Sequence, residues 1–359
     1  MTYAIIGCGA ISKNHIAAAL NTGLEIVALC DIVDTGMPAL LEQMPEETRK
    51  NVKTYADYKV MLNELHPDLV AIATGSGVKT MIALDCIAAG ANVIIEKPIA
   101  LSLQAADSII AAAKEKGVQV CVCHQNRLNP AVQAIHQAAE EGRFGRMLHG
   151  SARILWNRNK AYYDAAKWRG TWKSDGGTLM NQCIHSIDIL RWLMGGEVEQ
   201  VFAYTDRQVH DYIEAEDIGV AVVKFKGGAY ATIEGTVNVY PRNLEESLTL
   251  LGETGTVQAG GKSLNVIETW NFSDKDDSAA VRETFGENPP AVPGLGHTRI
   301  YEDMVDAIRN HRAPCVSAEE GRKAIELILG IYQSAATGKP VNFPLTEGST
   351  LDYVGRFES

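Results

Sequence analysis

Three residues in an otherwise apolar stretch have the types needed for proton chemistry. In GGTLMNQCIHSIDILRWLMG, residues 176–195, a single helix turning 100° per residue would gather Asn181, His185 and Asp188 within an arc of about 60°. Leu179, Met180, Ile184, Ile187, Leu190, Leu193 and Met194 occupy much of the remaining circumference, so the helix should be largely buried. Buried polar side chains cost free energy unless each finds a partner. Two readings fit. One is a satisfied structural network, with His185 and Asp188 supporting each other at i, i+3. The other is a stripe facing a cleft, where His185 removes a proton, a task suited to an imidazole of pKa about 6.5.

Two further motifs carry chemistry. AIIGCGAIS places Gly7-x-Gly9-x-x-Ser12 after an apolar strand and at the start of a helix. Glycines there permit a tight turn and close approach of a pyrophosphate to the helix N-terminus. Asp31 closes the next apolar run, where an acid takes both ribose hydroxyls of NAD and repels the 2′-phosphate of NADP. EKP, residues 96–98, ends a later strand, and ligands of open α/β sheets sit beyond the carboxyl ends of strands. Lys97 there can bond a substrate oxygen and stabilise developing alkoxide charge. A Glu96–Lys97 ion pair is a poor alternative, because neighbours on a strand face opposite ways.

The elements that must position these residues follow two rhythms. YAIIG, EIVALCD, LVAIATG, NVIIEKP and QVCVCHQ alternate with helical stretches such as ISKNHIAAALNTG and LSLQAADSIIAAAKEKG, which predicts a doubly wound parallel sheet. After about residue 145, RMLHGSARILW, VEQVFAYTDRQV, DIGVAVVKF, AYATIEGTV, SLTLLG and GTVQAG follow one another. They predict an open, mostly antiparallel sheet in an α+β domain, with a hairpin at KGG. Two helices follow, the second opened by Ser317 and Glu320 as a capping box and ended at Gly338. The expected domains are 1–122, an α/β Rossmann dinucleotide-binding domain, and 123–359, an α+β substrate-binding and oligomerisation domain, joined without a flexible linker.

Composition narrows the classes. A chain of 359 residues with 46% hydrophobic content and net charge −11 can build two cores and lacks the basic surface of a general nucleic-acid binder. No uncharged run approaches the ~18 apolar residues of a membrane span, and the opening TYAIIG shows no signal-peptide pattern. Seven cysteines without a CxxC pair read as reduced core residues in the cytoplasm, with no metal framework.

GCGAIS, Asp31, EKP and the Gly-Gly…His-x-x-Asp helix, in that order, resemble the glucose–fructose oxidoreductase/inositol dehydrogenase family (Gfo/Idh/MocA) over essentially the whole chain. The resemblance implies that Lys97 and His185 are catalytic and flank a sugar hydroxyl above a nicotinamide. QNRLN, GRFG, AYYDAAKWRGTW, DGGTLMNQ, YPRNLE, LGETGTV and GLGH further resemble the UDP-N-acetylglucosaminuronate 3-dehydrogenases of that family. That likeness implies NAD as cofactor; the open antiparallel sheet face suggests a homo-oligomer, dimer or tetramer. The likeness also implies oxidation of the 3-hydroxyl of a UDP-linked uronic acid, ahead of transamination toward diamino sugars of surface polysaccharides. On the cofactor side it implicates Gly7, Gly9, Ala10, Ile11, Asp31, Ile32, Thr74, Glu96, Lys97, Gln125, Trp168 and Arg169. On the substrate side it implicates Lys97, Asn126, Arg127, Arg158, Tyr163, Asn181, Gln182, His185 and His297. Asn181 stands where the broader family commonly has Asp and agrees with the UDP-sugar branch. Gly75 and Lys79 stand where Pro and His are frequent.

Substrate charge has a separate indication. Between Ser151 and Lys173 lie Arg153, Arg158, Lys160, Lys167, Arg169 and Lys173 against one acid, Asp164. A local positive field of this kind suits a diphosphate and a carboxylate, which arginine grips bidentately. Trp156, Tyr162, Tyr163, Trp168 and Trp172 offer faces for a uracil or sugar; the alternative is a solvated basic loop with aromatics in the core. Two rival functions stay open: a dehydrogenase of a free cyclitol or hexose, and a non-catalytic nucleotide sensor on the same fold.

Overall fold

The computed structural model describes residues 1–33, 35–289 and 295–358. The chain divides into two compact units, Met1–Ala100 with Gln104–Gln125 and Pro293–Arg322, and Leu101–Leu103 with Asn126–Val292 and Lys323–Ser359.

The first unit is built on six strands: β1 (Thr2–Ile6), β2 (Glu25–Cys30), β3 (Lys53–Tyr55), β4 (Leu69–Ile72), β5 (Asn92–Glu96) and β6 (Val120–Cys123). They pair in parallel in the order β3-β2-β1-β4-β5-β6, which is the dinucleotide-binding topology. Residues of β1, β4, β5 and β6 are almost all buried, which is why their sequences read as continuous apolar runs rather than alternating ones. The three-residue edge strand β3 is mostly exposed and polar, and no run marks it in the sequence. EKP, which closes the fourth of the apolar runs, therefore ends the fifth strand. A second difference lies at the far end of the chain. Helix Leu295–Arg309 packs on helix Ser12–Asn21 within this unit, so the chain crosses between the units more than once and a single boundary at residue 122 does not describe the division.

The second unit holds β7 (Met147–Leu155), β8 (Val198–Asp206), β9 (Ile218–Phe225), β10 (Tyr230–Thr236), β11 (Glu245–Gly252), β12 (Gly255–Gly260), β13 (Val266–Phe272) and β14 (Val341–Asn342). Their order is β13-β12-β11-β7-β10-β9-β8-β14. Among these strands one pairing, β7 with β10, is parallel and the rest are antiparallel. The KGG turn joins β9 to β10 as expected, with Gly228 at φ +85°. One face of the sheet carries the helices of this unit. Gly219 and Gly235 face each other across β9 and β10. A Cβ at either would come within 2.7 Å of the Leu179 side chain. This glycine pair is a notch that lets the segment around Leu179 lie directly on the sheet. Helix Ala318–Thr337 starts after Ser317, whose hydroxyl accepts from the Glu320 amide, and stops at Gly338 with φ +65°.

Candidate active site

In the first unit, Gly7 sits at φ +100°, and a Cβ there would lie 2.6 Å from the Ala73 carbonyl carbon. No other residue fits where the end of β1 passes the end of β4. Gly9, two residues on, has open space where a Cβ would go. Helix Ser12–Asn21 begins after Ile11 with no side-chain cap on its first-turn amides. Ser12 is fully buried, and its hydroxyl donates to the Gly9 carbonyl at 2.5 Å. Asp31 follows β2. Its Oδ2 accepts from the Cys8 amide at 2.6 Å and its Oδ1 from the Val33 amide at 2.9 Å. The Thr74 hydroxyl is buried and lacks a hydrogen-bond partner among the described residues. An open glycine turn, a helix start without a side-chain cap, an oriented carboxylate and an orphaned hydroxyl together fit a dinucleotide. Ala10 and Ile32 are exposed nearby in the chain.

Glu96 is buried at the end of β5. Its Oε1 accepts from the Nε2 of His15 and of His297, each at 3.1 Å. His15 Nδ1 meets the Tyr301 hydroxyl at 2.7 Å, which meets Tyr3 at 2.8 Å. Burial alone would raise the Glu96 carboxyl, but the two imidazole bonds hold it well below the usual carboxylate range. Burial depresses His15. Cys123 completes a group of donor atoms all within 4.8 Å of one another, and hydrogen bonds already occupy its carboxylate and imidazole members. His297, expected at the substrate, is thus a buried partner of Glu96 in this unit. Glu96 itself, expected at the cofactor, supports the strand end that carries Lys97. The first glycine of the GLGH motif lies outside the described residues.

In the second unit the polar stripe is not one helix. Residues Thr178–Asn181 form a single turn, and a new helix runs Ile184–Leu193. Gln182 and Cys183 both donate their amides to the Thr178 carbonyl, at 2.8 and 3.1 Å, which widens the turn between them. Asn181 consequently leaves the arc drawn for a continuous helix. Its side-chain amide donates to Asp175, whose other oxygen accepts from the Gly170 amide at 2.7 Å. His185 lies half-buried in the first turn of the new helix. Asp188 is fully buried and takes Arg127 bidentately, both bonds at 2.6 Å. Arg127, expected to touch substrate, is therefore a buried structural residue that also covers the Trp192 ring at 4.9 Å. Asp188 serves that ion pair. Asn126 is buried beside it in the chain, and Gln125 is half-buried.

The basic segment sorts itself by partner. Arg153 pairs with Glu234 and Glu245, and Lys160 with Asp164, so neither contributes much free charge. Arg158 donates to Gln182 at 2.9 Å, to the Asn157 carbonyl at 2.6 Å and to Asn243 at 3.3 Å. Arg169 donates to the Tyr162 carbonyl at 2.5 Å. Both guanidiniums lie against the Tyr162 ring, at 5.2 and 4.1 Å from its centroid, and Gln182 donates to the Tyr162 hydroxyl at 2.8 Å. Among the described residues neither has a carboxylate partner, so two positive charges are held together by neutral acceptors. Trp156 and Trp168 stack on them at 4.8 and 5.5 Å. Trp172 is fully buried against Tyr332 and Tyr353, and Tyr163 is buried against His210; both are core, not ligand platforms.

Several positions escaped the sequence reading because their partners are remote. His210 donates from Nε2 to the Arg158 carbonyl at 2.5 Å, and Asp217 holds its Nδ1 at 3.1 Å. Burial opposes its charge, yet these bonds raise its pKa. Glu216, fully buried under Thr178–Asn181, accepts from the Leu179 amide at 2.8 Å and the Tyr332 hydroxyl at 2.7 Å. Burial pushes its carboxyl up to about 8. Nothing local distinguishes Asp175, in KSDGG, or Glu216, in EAED, from ordinary loop acids.

Comparison with known proteins agrees with both units. Residues 1–124 match the family model described as oxidoreductase family, NAD-binding Rossmann fold, and residues 132–258 match the GFO/IDH/MocA C-terminal domain. The WlbA dehydrogenase of Bordetella pertussis, solved in complex with NADH and UDP-GlcNAcA, is 36% identical, with TM-score 0.83 over 96% of this chain and 99% of that one. The WlbA dehydrogenase of Chromobacterium violaceum, in complex with the same two molecules, is also 36% identical, with TM-score 0.86 over 96% of each chain. D-apiose dehydrogenase of Paraburkholderia graminis is 26% identical over 96% of this chain and 90% of its own length. With both domain models matched in order, the chain belongs to the GFO/IDH/MocA oxidoreductase family and is an NAD-dependent sugar dehydrogenase.

Proposed function

We propose that this enzyme oxidises the 3-hydroxyl of UDP-linked N-acetylglucosaminuronate to the ketone, a product suited to transamination toward diamino sugars of surface polysaccharides. The observation that carries the reading is the pair Arg158 and Arg169, held against Tyr162 with only neutral acceptors. Half-buried cations without a carboxylate partner suit an anion, and a diphosphate with a carboxylate supplies several charges. The two WlbA enzymes, solved with UDP-GlcNAcA, support the same substrate class.

NAD, when bound, accepts the hydride from the sugar carbon. His185 takes the proton of the reacting hydroxyl as general base. Lys97 holds that oxygen and stabilises its negative charge. Asn181, anchored by Asp175, orients the ring through neighbouring hydroxyls, and Gln182 keeps Arg158 pointed at the anion. The seven free cysteines, six of them buried, suit a reducing compartment, and the cytoplasm is part of the same proposal. A second reading, oxidation of a free sugar or cyclitol, is favoured by the D-apiose dehydrogenase relative.

A thermal-shift screen with NADH present separates the two. UDP and UDP-N-acetylglucosaminuronate should stabilise the protein, whereas myo-inositol and glucose should not. Arg158→Ala should weaken UDP-sugar binding by about 1.5–3 kcal/mol, the range for a charge-assisted bond. His185→Ala should lower turnover by roughly 10²–10⁴ with NAD binding retained. Stabilisation by inositol and by no uridine compound would transfer the assignment to the second reading.

A further inference from the structure

Lys79 is the departure from the family pattern that the proposed chemistry leaves without a role. It lies on helix Ser76–Ala88 and is 2% exposed. Its ammonium donates to three successive main-chain carbonyls: Glu96 at 2.6 Å, Lys97 at 2.8 Å and Pro98 at 3.1 Å. Glu96 is the last residue of β5 paired with β6, so the carbonyls beyond it have left the strand ladder. Pro98 has no amide hydrogen and cannot rejoin one. A lysine ammonium offers three donors and no acceptor, which matches three carbonyls converging on one point. Burying that charge is costly unless its donors are used, and here each has a carbonyl. The carbonyls it gathers bracket the α-carbon of Lys97 on both sides.

We infer that Lys79 is a positioning residue for Lys97, fixing the backbone from Glu96 to Pro98 so that the Lys97 ammonium is presented in one place. The inference rests on the reading of Lys97 as the residue that holds the reacting oxygen. Its effect is on presentation, so Lys79 touches neither sugar nor cofactor. Removing the clamp should cost turnover through Lys97 and leave the dinucleotide turn at Gly7–Gly9 intact.

The test is a double-mutant cycle on the full-length enzyme, with Lys79→Met and Lys97→Met, assayed with NAD and the sugar that the screen identifies, UDP-N-acetylglucosaminuronate on the present reading. Lys79→Met should lower kcat about 10–100-fold while NAD affinity, read by fluorescence, and KM for the sugar stay within about threefold. In the Lys97→Met background the same change should cost less than about twofold more, because both substitutions remove one function. Lys79→Gln, which keeps part of the donor set, should fall between wild type and Lys79→Met. Wild-type kcat in folded Lys79→Met, or an equal loss in both backgrounds, overturns the inference. Failure of both Met and Gln variants to fold also overturns it, in favour of a lysine that only holds the fold. Wild-type kcat in Lys97→Met alone is a different result: it removes the reading of Lys97, and the clamp then has nothing to position.

Discussion

Asp31 is oriented before any ligand arrives, since backbone amides of Cys8 and Val33 hold its two oxygens at 2.6 and 2.9 Å. A carboxylate fixed beside the Gly7–Gly9 turn accepts ribose hydroxyls and meets a 2′-phosphate with like charge. Two like charges about 4 Å apart at an effective dielectric near 20 repel by about 4 kcal/mol before screening. NADP should therefore bind at least ~10-fold more weakly than NAD, and Asp31→Ala should narrow the gap, as fluorescence titration of both cofactors would report. Comparable affinities in the wild type would remove the ribose role. This residue was legible in the sequence because everything that defines it is local: a strand end, a glycine turn and a fixed spacing. Arg153 is the opposite case. Its partners, Glu234 and Glu245, lie far along the chain, where a tally of nearby charges cannot see them; Arg127, placed at the substrate by resemblance, pairs with an equally remote acid, Asp188. Among the described residues Arg158 and Arg169 bond only neutral acceptors.

At the level of elements, the buried parallel strands and the long helices announce themselves through runs and periodicity, while β3, β13 and the kink at Gln182–Cys183 do not. The kink depends on the Gly219–Gly235 notch and on Glu216 beneath it, both brought together by sheet pairing rather than by sequence proximity. Glu216 gives this element a pH dependence. Its folded pKa is raised to about 8 by burial, against an ordinary carboxyl near 4.3. The folded state thus holds a proton that the unfolded state has released, so the group's contribution is full below about pH 4 and is lost as pH rises toward 8. Tyr332 and the Leu179 amide favour its charge, and Asp175 opposes it. Glu216→Gln, which cannot ionise, should become progressively more stable relative to wild type between about pH 5 and 8. Urea denaturation of both proteins across that range measures the difference, and a pH-independent difference would place the proton elsewhere.

The whole molecule presents a feature that no single element explains. On the face of the second sheet opposite its helices, Tyr204 is 70% exposed, Val220 47%, Val222 51% and Tyr230 51%. Strand pairing puts them side by side: Tyr204 faces Val220 across β8 and β9, and Val222 is next on the same face, two residues along. Tyr230 lies opposite Lys224, on the β10 side of the same patch. Around them run ion pairs, Lys224–Glu199 and Arg153 with Glu234 and Glu245. A contiguous apolar patch with a charged rim is the form of an association surface. A flat sheet face is self-complementary under a two-fold axis, so a second copy of this chain is the simplest occupant. We accordingly expect a homo-oligomer built on this face. Val220→Glu together with Val222→Glu would place four like charges at a two-fold contact, where each loses hydration without gaining a partner. Those positions are solvent-facing in one chain, so the isolated fold should survive. Light scattering after size exclusion should give a multiple of the 38.9 kDa chain for the wild type and a smaller species for the double variant, with unchanged far-ultraviolet dichroism. A monomeric wild type would rule out association by any face. An unchanged oligomer in the folded variant would move the contact to another surface, leaving the exposed tyrosines and valines to be explained by something other than self-association.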